Sequence, residues 1–312
     1  MNTSLSVILC TYNPTESIFS RCLLSISKAC DVLKPKEILI IDNNSSNGFT
    51  TSEYIRNFVV QTNAKIVTEY KQGLTPARLR GIRESTGDIL LFIDDDNFVS
   101  TDFFDVGSRI ATENSHIGAW SGQVRLQFET QPESWTEKYW GMLVHRSLDR
   151  DLWSNLPHLS DTMPCGAGLF VRRIVATEYL SLHTQGNRNI QLDRSGKSLF
   201  SGGDNDLAAC ACDLNLGVGL FKDLHLINYI PRERLHLSYL LKLAEGIAAS
   251  AIIFRSFRGE MPIKPVLKNQ LANALRFLIK SGRERSFYYA VMRGESIGRR
   301  ILLENNVQKS AK

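Results

Sequence analysis

The segment Ile89-Leu-Leu-Phe-Ile93-Asp94-Asp95-Asp96-Asn97 runs five apolar residues straight into three carboxylates. The apolar run has strand length and no polar alternation, which marks a strand buried on both faces. Upstream the same type recurs: Ser6-Val-Ile-Leu-Cys10, Glu37-Ile-Leu-Ile-Ile41 and Ala64-Lys-Ile-Val67. Helical patterns separate these runs. Pro14 precedes the apolar face of Ile18, Leu23, Leu24 and Ile26, and Tyr54, Ile55, Phe58 and Val59 form a second face. Thr75-Pro76 reads as the start of a third helix, with Thr as N-cap. Strand and helix in regular alternation predict a parallel sheet covered on both sides. Ligands of such sheets sit beyond the carboxyl ends of the strands. Three polar clusters fall there: Thr11-Tyr12-Asn13, Asp42-Asn43-Asn44 and Asp94 to Asn97.

The remainder is less regular. All four tryptophans lie between Trp120 and Trp153. Met163-Pro-Cys-Gly-Ala-Gly168 is a glycine-rich turn leading into a strand, Leu169 to Val171. Ser201-Gly-Gly-Asp-Asn-Asp-Leu207 opens a helix, and Leu237 to Phe257 reads as another. The chain has 312 residues, 43% apolar and 22% charged, enough for one large or two small domains without staples. The six cysteines form no C-x-x-C pair, which argues against a zinc ribbon and for buried thiols in a reducing compartment. The N-terminus lacks a basic region and a long apolar stretch, so it does not read as a signal peptide. Lys242 and Glu245 interrupt the one long apolar stretch, so no membrane span is expected.

Charge is unevenly placed. Arg255 to Lys312 carries 13 Lys+Arg against 4 Asp+Glu, whereas Met1 to Phe254 carries 24 against 28. An acidic body argues against nucleic acid as a partner. The basic tail, with Leu267, Leu271, Leu275, Phe277, Leu278, Phe287, Tyr288 and Tyr289 interleaved, suits an anionic membrane surface.

Adjacent carboxylates raise one another's pKa and oppose ionisation, a cost that a divalent cation removes. Aspartate oxygens suit Mg2+ or Mn2+. A calcium loop counted from Asp94 would need glycine where Val99 stands. Gly196-Lys-Ser198 is only half a P-loop, and no G-x-G-x-x-G follows the first strand.

Five motifs in order give the chain a recognisable likeness: Ser6-Val-Ile-Leu-Cys-Thr-Tyr-Asn13, Ile40-Ile-Asp-Asn-Asn-Ser45, Gly73-Leu-Thr-Pro-Ala-Arg78, Phe92-Ile-Asp-Asp-Asp96 and Gly202-Gly-Asp-Asn-Asp-Leu207. Over residues 4 to 256 the chain resembles a family 2 glycosyltransferase of the GT-A fold, nearest to bacterial polysaccharide enzymes of the hormogonium type. The resemblance implies a mostly parallel α/β sheet flanked by helices over 1–256, divided into a nucleotide half (1–100) and an acceptor half (101–256). A basic helical extension, 257–312, follows. It implies an inverting hexosyltransferase-type enzyme using a nucleotide sugar, a UDP-sugar by preference, with Mn2+ or Mg2+ and a glycan or lipid-linked acceptor. The expected location is cytoplasmic, at the inner face of the membrane.

By the same resemblance Asp96 and Asp94 hold the metal. Thr11, Tyr12, Asn13, Asp42, Asn44, Gly73, Arg78, Asp94 and Asp95 line the nucleotide, and Asp204 is the general base. Cys165, Gly166, Gly168 and Asp206 meet sugar or acceptor. The residues alone leave other readings open, Asp204 as a helix cap and Asp42 as an Asx-turn residue. The chain departs from the pattern at Gly203, where the family has Glu, at Leu79 in place of Asn, and at Asn228 in place of a late metal-binding His. His225 and His236 stand nearby as substitutes. These departures support an alternative, an inactive nucleotide-sugar-binding scaffold.

Overall fold

Strand β1 (Leu5–Thr11) is buried along its whole length. Its residues alternate between two cores, as a strand's period of two requires. Val7 and Leu9 pack with Phe19 and Ile26 of helix α1 (Glu16–Val32). Ile8 and Cys10 face Ala77 and Ile82 of α3 (Leu74–Glu84) on the other side. Strands β2 (Glu37–Asp42) and β4 (Ile89–Asp94) divide in the same way between the two cores. Each fully buried Leu or Ile contributes about 1.5–3 kcal/mol. The expected parallel sheet over the first hundred residues is therefore present, with β3 (Lys65–Thr68) at its edge and α2 (Glu53–Thr62) between β2 and β3.

The computed structural model describes residues 3–157, 161–190, 192–194, 199–260 and 282–310, with side chains to residue 305. Gly196-Lys-Ser198 and the tail residues Leu267, Leu271, Leu275, Phe277 and Leu278 lie outside the described residues. Five further strands complete the sheet: β5 (Asn97–Val99), β6 (Ile117–Phe128), β7 (Leu152–Ser154), β8 (Leu169–Arg172) and β9 (Gly217–Ile230). The order is β3-β2-β1-β4-β8-β6-β9-β5, with β7 also on β9. Beyond β4 the sheet is mixed: β8 runs antiparallel to β4 and β6, while β9 runs parallel to β6. Parallel pairing thus joins the first four strands and recurs between β6 and β9, while β5, β7 and β8 pair antiparallel. The outer part of β9 alternates buried and exposed residues, so one of its faces meets solvent and needs no helical cover.

Helices α4 (Phe103–Glu113), α5 (Arg173–Thr184) and α6 (Gly203–Asp213) cover the sheet. Gly107 of α4 sits against Phe170, which stacks on Trp120 at 5.4 Å and 4°. A Cβ at 107 would lie 2.1 Å from the Phe170 ring. Gly107→Ala is expected to cost about 1–3 kcal/mol by overpacking a filled core, read as a lower urea midpoint. Helix α7 (Leu237–Ser256) is long and apolar enough to cross a bilayer, yet it packs in the fold. Its Leu240, Leu243 and Ala244 meet Phe287 and Ala290 of α8 (Gly282–Ser310). Phe287 also stacks on Tyr139. Tyr289 is exposed, so the described part of the tail divides its aromatics between core and surface.

Candidate active site

A cavity of about 530 Å3 opens beyond the carboxyl ends of β1 and β4. Strand order reverses between these two strands, where a parallel sheet leaves a crevice. Cys10, Thr11 and Tyr12 come from the end of β1, and Asp94, Asp95 and Asp96 from the end of β4. Gly73, Leu74, Ala77 and Arg78 come from the first turns of α3, and Gly166 and Ala167 from the turn before β8. Asp204 enters from the first turn of α6, and Asn228, Ile230 and Arg234 from the end of β9 and the turn after it.

Local structure fixes these groups. Gly73 takes φ +126°, a conformation that favours glycine, and its N–H donates to Asn43 Oδ1 at 2.7 Å. It is Gly73, not Thr75, that caps α3. The Thr75 hydroxyl is already committed, donating to Asp193 Oδ2 at 2.8 Å. Thr11 Oγ1 donates to Asp95 Oδ2 at 2.6 Å. Asp96 accepts from Arg234 Nη1 and Asn97 Nδ2, each at 3.0 Å. Asp204 accepts the backbone N–H of Gly166 at 2.6 Å and that of Asn205 at 2.9 Å. The carboxylate that begins α6 is thus held by the turn before β8, with its face toward the cavity.

Burial pushes the Asp94 and Asp95 carboxyls up from their ordinary range. For Asp94, Arg78 opposes this while Asp96 and Asp204 add to it; for Asp95, Asp96 adds and the Thr11 hydrogen bond opposes. Burial also works against the charge of Arg78, but Asp193, Asp204 and Asp94 outweigh it and hold that guanidinium firmly protonated.

Several residues expected at the site lie elsewhere. The Asp42 side chain accepts the Ser45 N–H at 2.9 Å, three residues on in its own turn, and does not line the cavity. Asn13 ties down the same loop through the N–H groups of Ser46 and Asn47, and Asn44 is exposed beyond it. Cys165 is buried below Gly166, and Gly168 packs on Phe103 at φ +67°. Asp206 is turned into the interior, where Arg188 and Arg258 hold its two oxygens at 2.8 and 2.9 Å. Neither His225 nor His236 reaches the cavity; both are exposed, on β9 and at the start of α7. Asn228 does line it, but its amide accepts from Asn97 and donates to the Leu143 carbonyl.

Other lining residues escaped the sequence reading. Asp193 and Arg194 come from a polar stretch without periodicity. Arg234 lies in Pro231-Arg-Glu-Arg234, a basic cluster directly after an apolar strand, and that pattern was a usable signal.

Five carboxylates in the lining, Asp94, Asp95, Asp96, Asp193 and Asp204, face three guanidiniums, Arg78, Arg194 and Arg234. This excess of negative charge would repel an anionic ligand unless a cation entered with it. The donors near the strand end are hard oxygens, which fit Mn2+ or Mg2+ shared with phosphate oxygens. Among the described residues no three His, Cys, Asp or Glu side chains converge as a ready cage. Asp94 and Asp96 could share such an ion with oxygens from outside the protein, Asp96 in exchange for its contacts with Arg234 and Asn97.

The model of the family described as "Glycosyl transferase family 2" matches residues 6–172. Glycosyltransferase AglE of Haloferax volcanii is 38% identical over 93 residues, 29% of this chain and 30% of that protein. The cholesterol galactosyltransferase of Borreliella burgdorferi is 28% identical over 115 residues, 36% of this chain and 30% of that protein. The matched segments thus span about a third of each curated relative or less. Mannosyltransferase PcManGT from Pyrobaculum calidifontis, solved in complex with GDP-Man and Mn2+, superposes with a TM-score of 0.54 at 16% identity, over 100% of this chain and 81% of that one. At that identity the likeness concerns the fold. The family match, covering more than half of the chain and joined to this sheet order, means that the chain belongs to glycosyl transferase family 2 and has the GT-A fold.

Proposed function

We propose that the chain is an inverting glycosyltransferase that moves a hexosyl group from a nucleotide sugar to a glycan or lipid-linked acceptor in polysaccharide synthesis. The observation that carries this reading is the single cavity joining Asp94, Asp95 and Asp96 to Asp204, with Arg78 and Arg234 also in its lining. Such a cavity has one pole for a diphosphate and another for a proton. Tyr12, exposed at the rim, offers a ring to the nucleotide base. Arg78 and Arg234 supply fixed positive charge for the diphosphate. A bound Mn2+ or Mg2+ would neutralise charge on the departing diphosphate as a Lewis acid. Asp204, oriented by two backbone N–H groups, accepts the proton of the attacking hydroxyl. Attack from the side opposite the leaving group, in one displacement, inverts the anomeric centre.

A UDP-sugar is the donor we favour, and the GDP-Man held by the similar mannosyltransferase makes GDP-sugars the first alternative to screen. A thermal-shift screen of nucleotide sugars with Mn2+, followed by product stereochemistry, tests the reading. Retention of configuration, or no turnover with any donor, would overturn it. Absence of turnover with intact binding would favour the scaffold reading, which the glycine at 203 supports.

Asp96→Ala is expected to abolish the Mn2+-dependent part of the stabilisation by UDP while leaving the fold intact. The side chain is half-buried at a strand end, where losing one of three neighbouring carboxylates relieves repulsion and so offsets the loss of the ion pair with Arg234. Parental binding of UDP and Mn2+ by this variant would remove Asp96 from the ion's shell.

A lipid-linked acceptor would be presented at a membrane surface, and the net positive tail supports attachment there. The full chain is expected to sediment with anionic but not neutral vesicles and to be released as salt shortens the reach of charge. Equal sedimentation with both vesicle types would sink the idea.

A further inference from the structure

We propose that Asp193 is a positioning residue of this cavity, a carboxylate lodged in the space that a side chain at 203 would take, from which it fixes the guanidinium of Arg78. The inference deepens the glycosyltransferase reading and rests on it for the catalytic consequence.

Three observations meet at this point. Asp193 is buried, and its two oxygens accept from Arg78 Nη1 at 3.2 Å, while Oδ2 also accepts from Thr75. A Cβ placed on Gly203 would lie 2.3 Å from Asp193 Oδ2 and 2.4 Å from its Cγ. Gly203 is the first residue of α6 and is not among the glycines with positive φ, so its backbone conformation admits any residue. Glycine stands at 203 for room, and the occupant of that room is the carboxylate of Asp193. The family pattern that the chain resembles has glutamate at 203; here the carboxylate of Asp193, from a loop ten positions earlier, fills the place of that residue's Cβ.

The consequence follows from charge. Arg78 is buried and lies close to the turn that holds Asp204; a Cβ on Gly166 would be 2.7 Å from Arg78 Nη2 and 3.1 Å from Asp204 Oδ2. Asp193 binds one end of the guanidinium and leaves the rest for the cavity. With that carboxylate neutralised, the carboxylates that still attract Arg78 are Asp204 and Asp94. Arg78 would turn to Asp204 and occupy the lone pairs that must accept the acceptor's proton. Asp193 therefore keeps the cation of α3 and the base of α6 apart.

The test is a reciprocal exchange in the full chain: Asp193→Asn, Asp193→Ala, Gly203→Glu, and Asp193→Ala with Gly203→Glu. Each protein is measured for melting midpoint, for affinity toward UDP and GDP, and for kcat and KM with the donor that the parent uses. Asp193→Asn is expected to lower kcat by about 10-fold or more, the lower range for impaired proton transfer, and to weaken UDP affinity as well, because the displaced Arg78 also serves the diphosphate. Gly203→Glu alone should lower the melting midpoint, because two acidic groups then compete for one space. Introduced into Asp193→Ala, the same Glu should raise the midpoint and recover most of kcat. A double variant no better than Asp193→Ala, or parental kcat in Asp193→Asn, overturns the proposal. If the parent turns over no donor, the glycosyltransferase reading fails, and the midpoints decide the placement of Asp193 by themselves: additive effects of the two substitutions overturn it, and reversal of sign upholds it.

Discussion

Asp204→Asn is expected to cut sugar transfer by about 10²-fold or more, the range for removal of a general base. Donor affinity should stay close to parental. The substitution preserves shape, and the amide oxygen can still accept the Gly166 N–H that orients the side chain. It removes the second acceptor and the negative charge, and with them the ability to take a proton. Initial rates with the selected donor, set beside calorimetric donor affinity, separate the two effects. Near-parental rates would place the proton acceptor elsewhere. Asp206 is not a candidate for that role, because Arg188 and Arg258 already hold both of its oxygens.

Asp206→Ala should produce the opposite pattern, a large loss of stability before any question of catalysis. The side chain is almost fully buried, and Arg258 also pairs with Asp213 at 3.0 Å. Removing Asp206 strands Arg188 without its counter-charge and leaves Arg258 with only the more exposed Asp213. Breaking a buried pair by deleting one partner costs about 3–5 kcal/mol. Domains are stable by about 5–15 kcal/mol, so the urea midpoint should fall by about a fifth or more. The damage is expected to spread. Arg188 belongs to the segment that leads to Asp193, and Arg258 closes the end of α7, so the triad ties two elements to α6. A parental midpoint would mean that solvent reaches these charges in solution.

The two aspartates stand two positions apart on one helix turn, in a motif that reads as one unit. Both were expected at the site, and only Asp204 lines the cavity. Similar divergence runs through the nucleotide loops. Asp42 and Asn13 carry the residue types for binding, yet both spend hydrogen bonds on the backbone of the loop after β2. Side-chain-to-backbone hydrogen bonds compete for the same oxygen atoms that a ligand would use, and composition cannot tell which use prevails.

What the sequence alone determined is the half of the fold governed by local rules. Uninterrupted apolar runs of strand length have to be buried on both faces, and helices between them leave parallel pairing as the solution, so β1 to β4 and their carboxyl-end clusters were legible. The Asp94-Asp95-Asp96 cluster was legible for the same reason, because a strand end fixes where its next residues stand. Only the tertiary structure decided how charges pair. Arg78 finds Asp193 from 115 positions away, Asp96 finds Arg234 from 138, and Asp206 finds Arg258 from 52. An ion pair is set by distance in space and by exclusion of water, and neither is encoded in the spacing of residues along the chain.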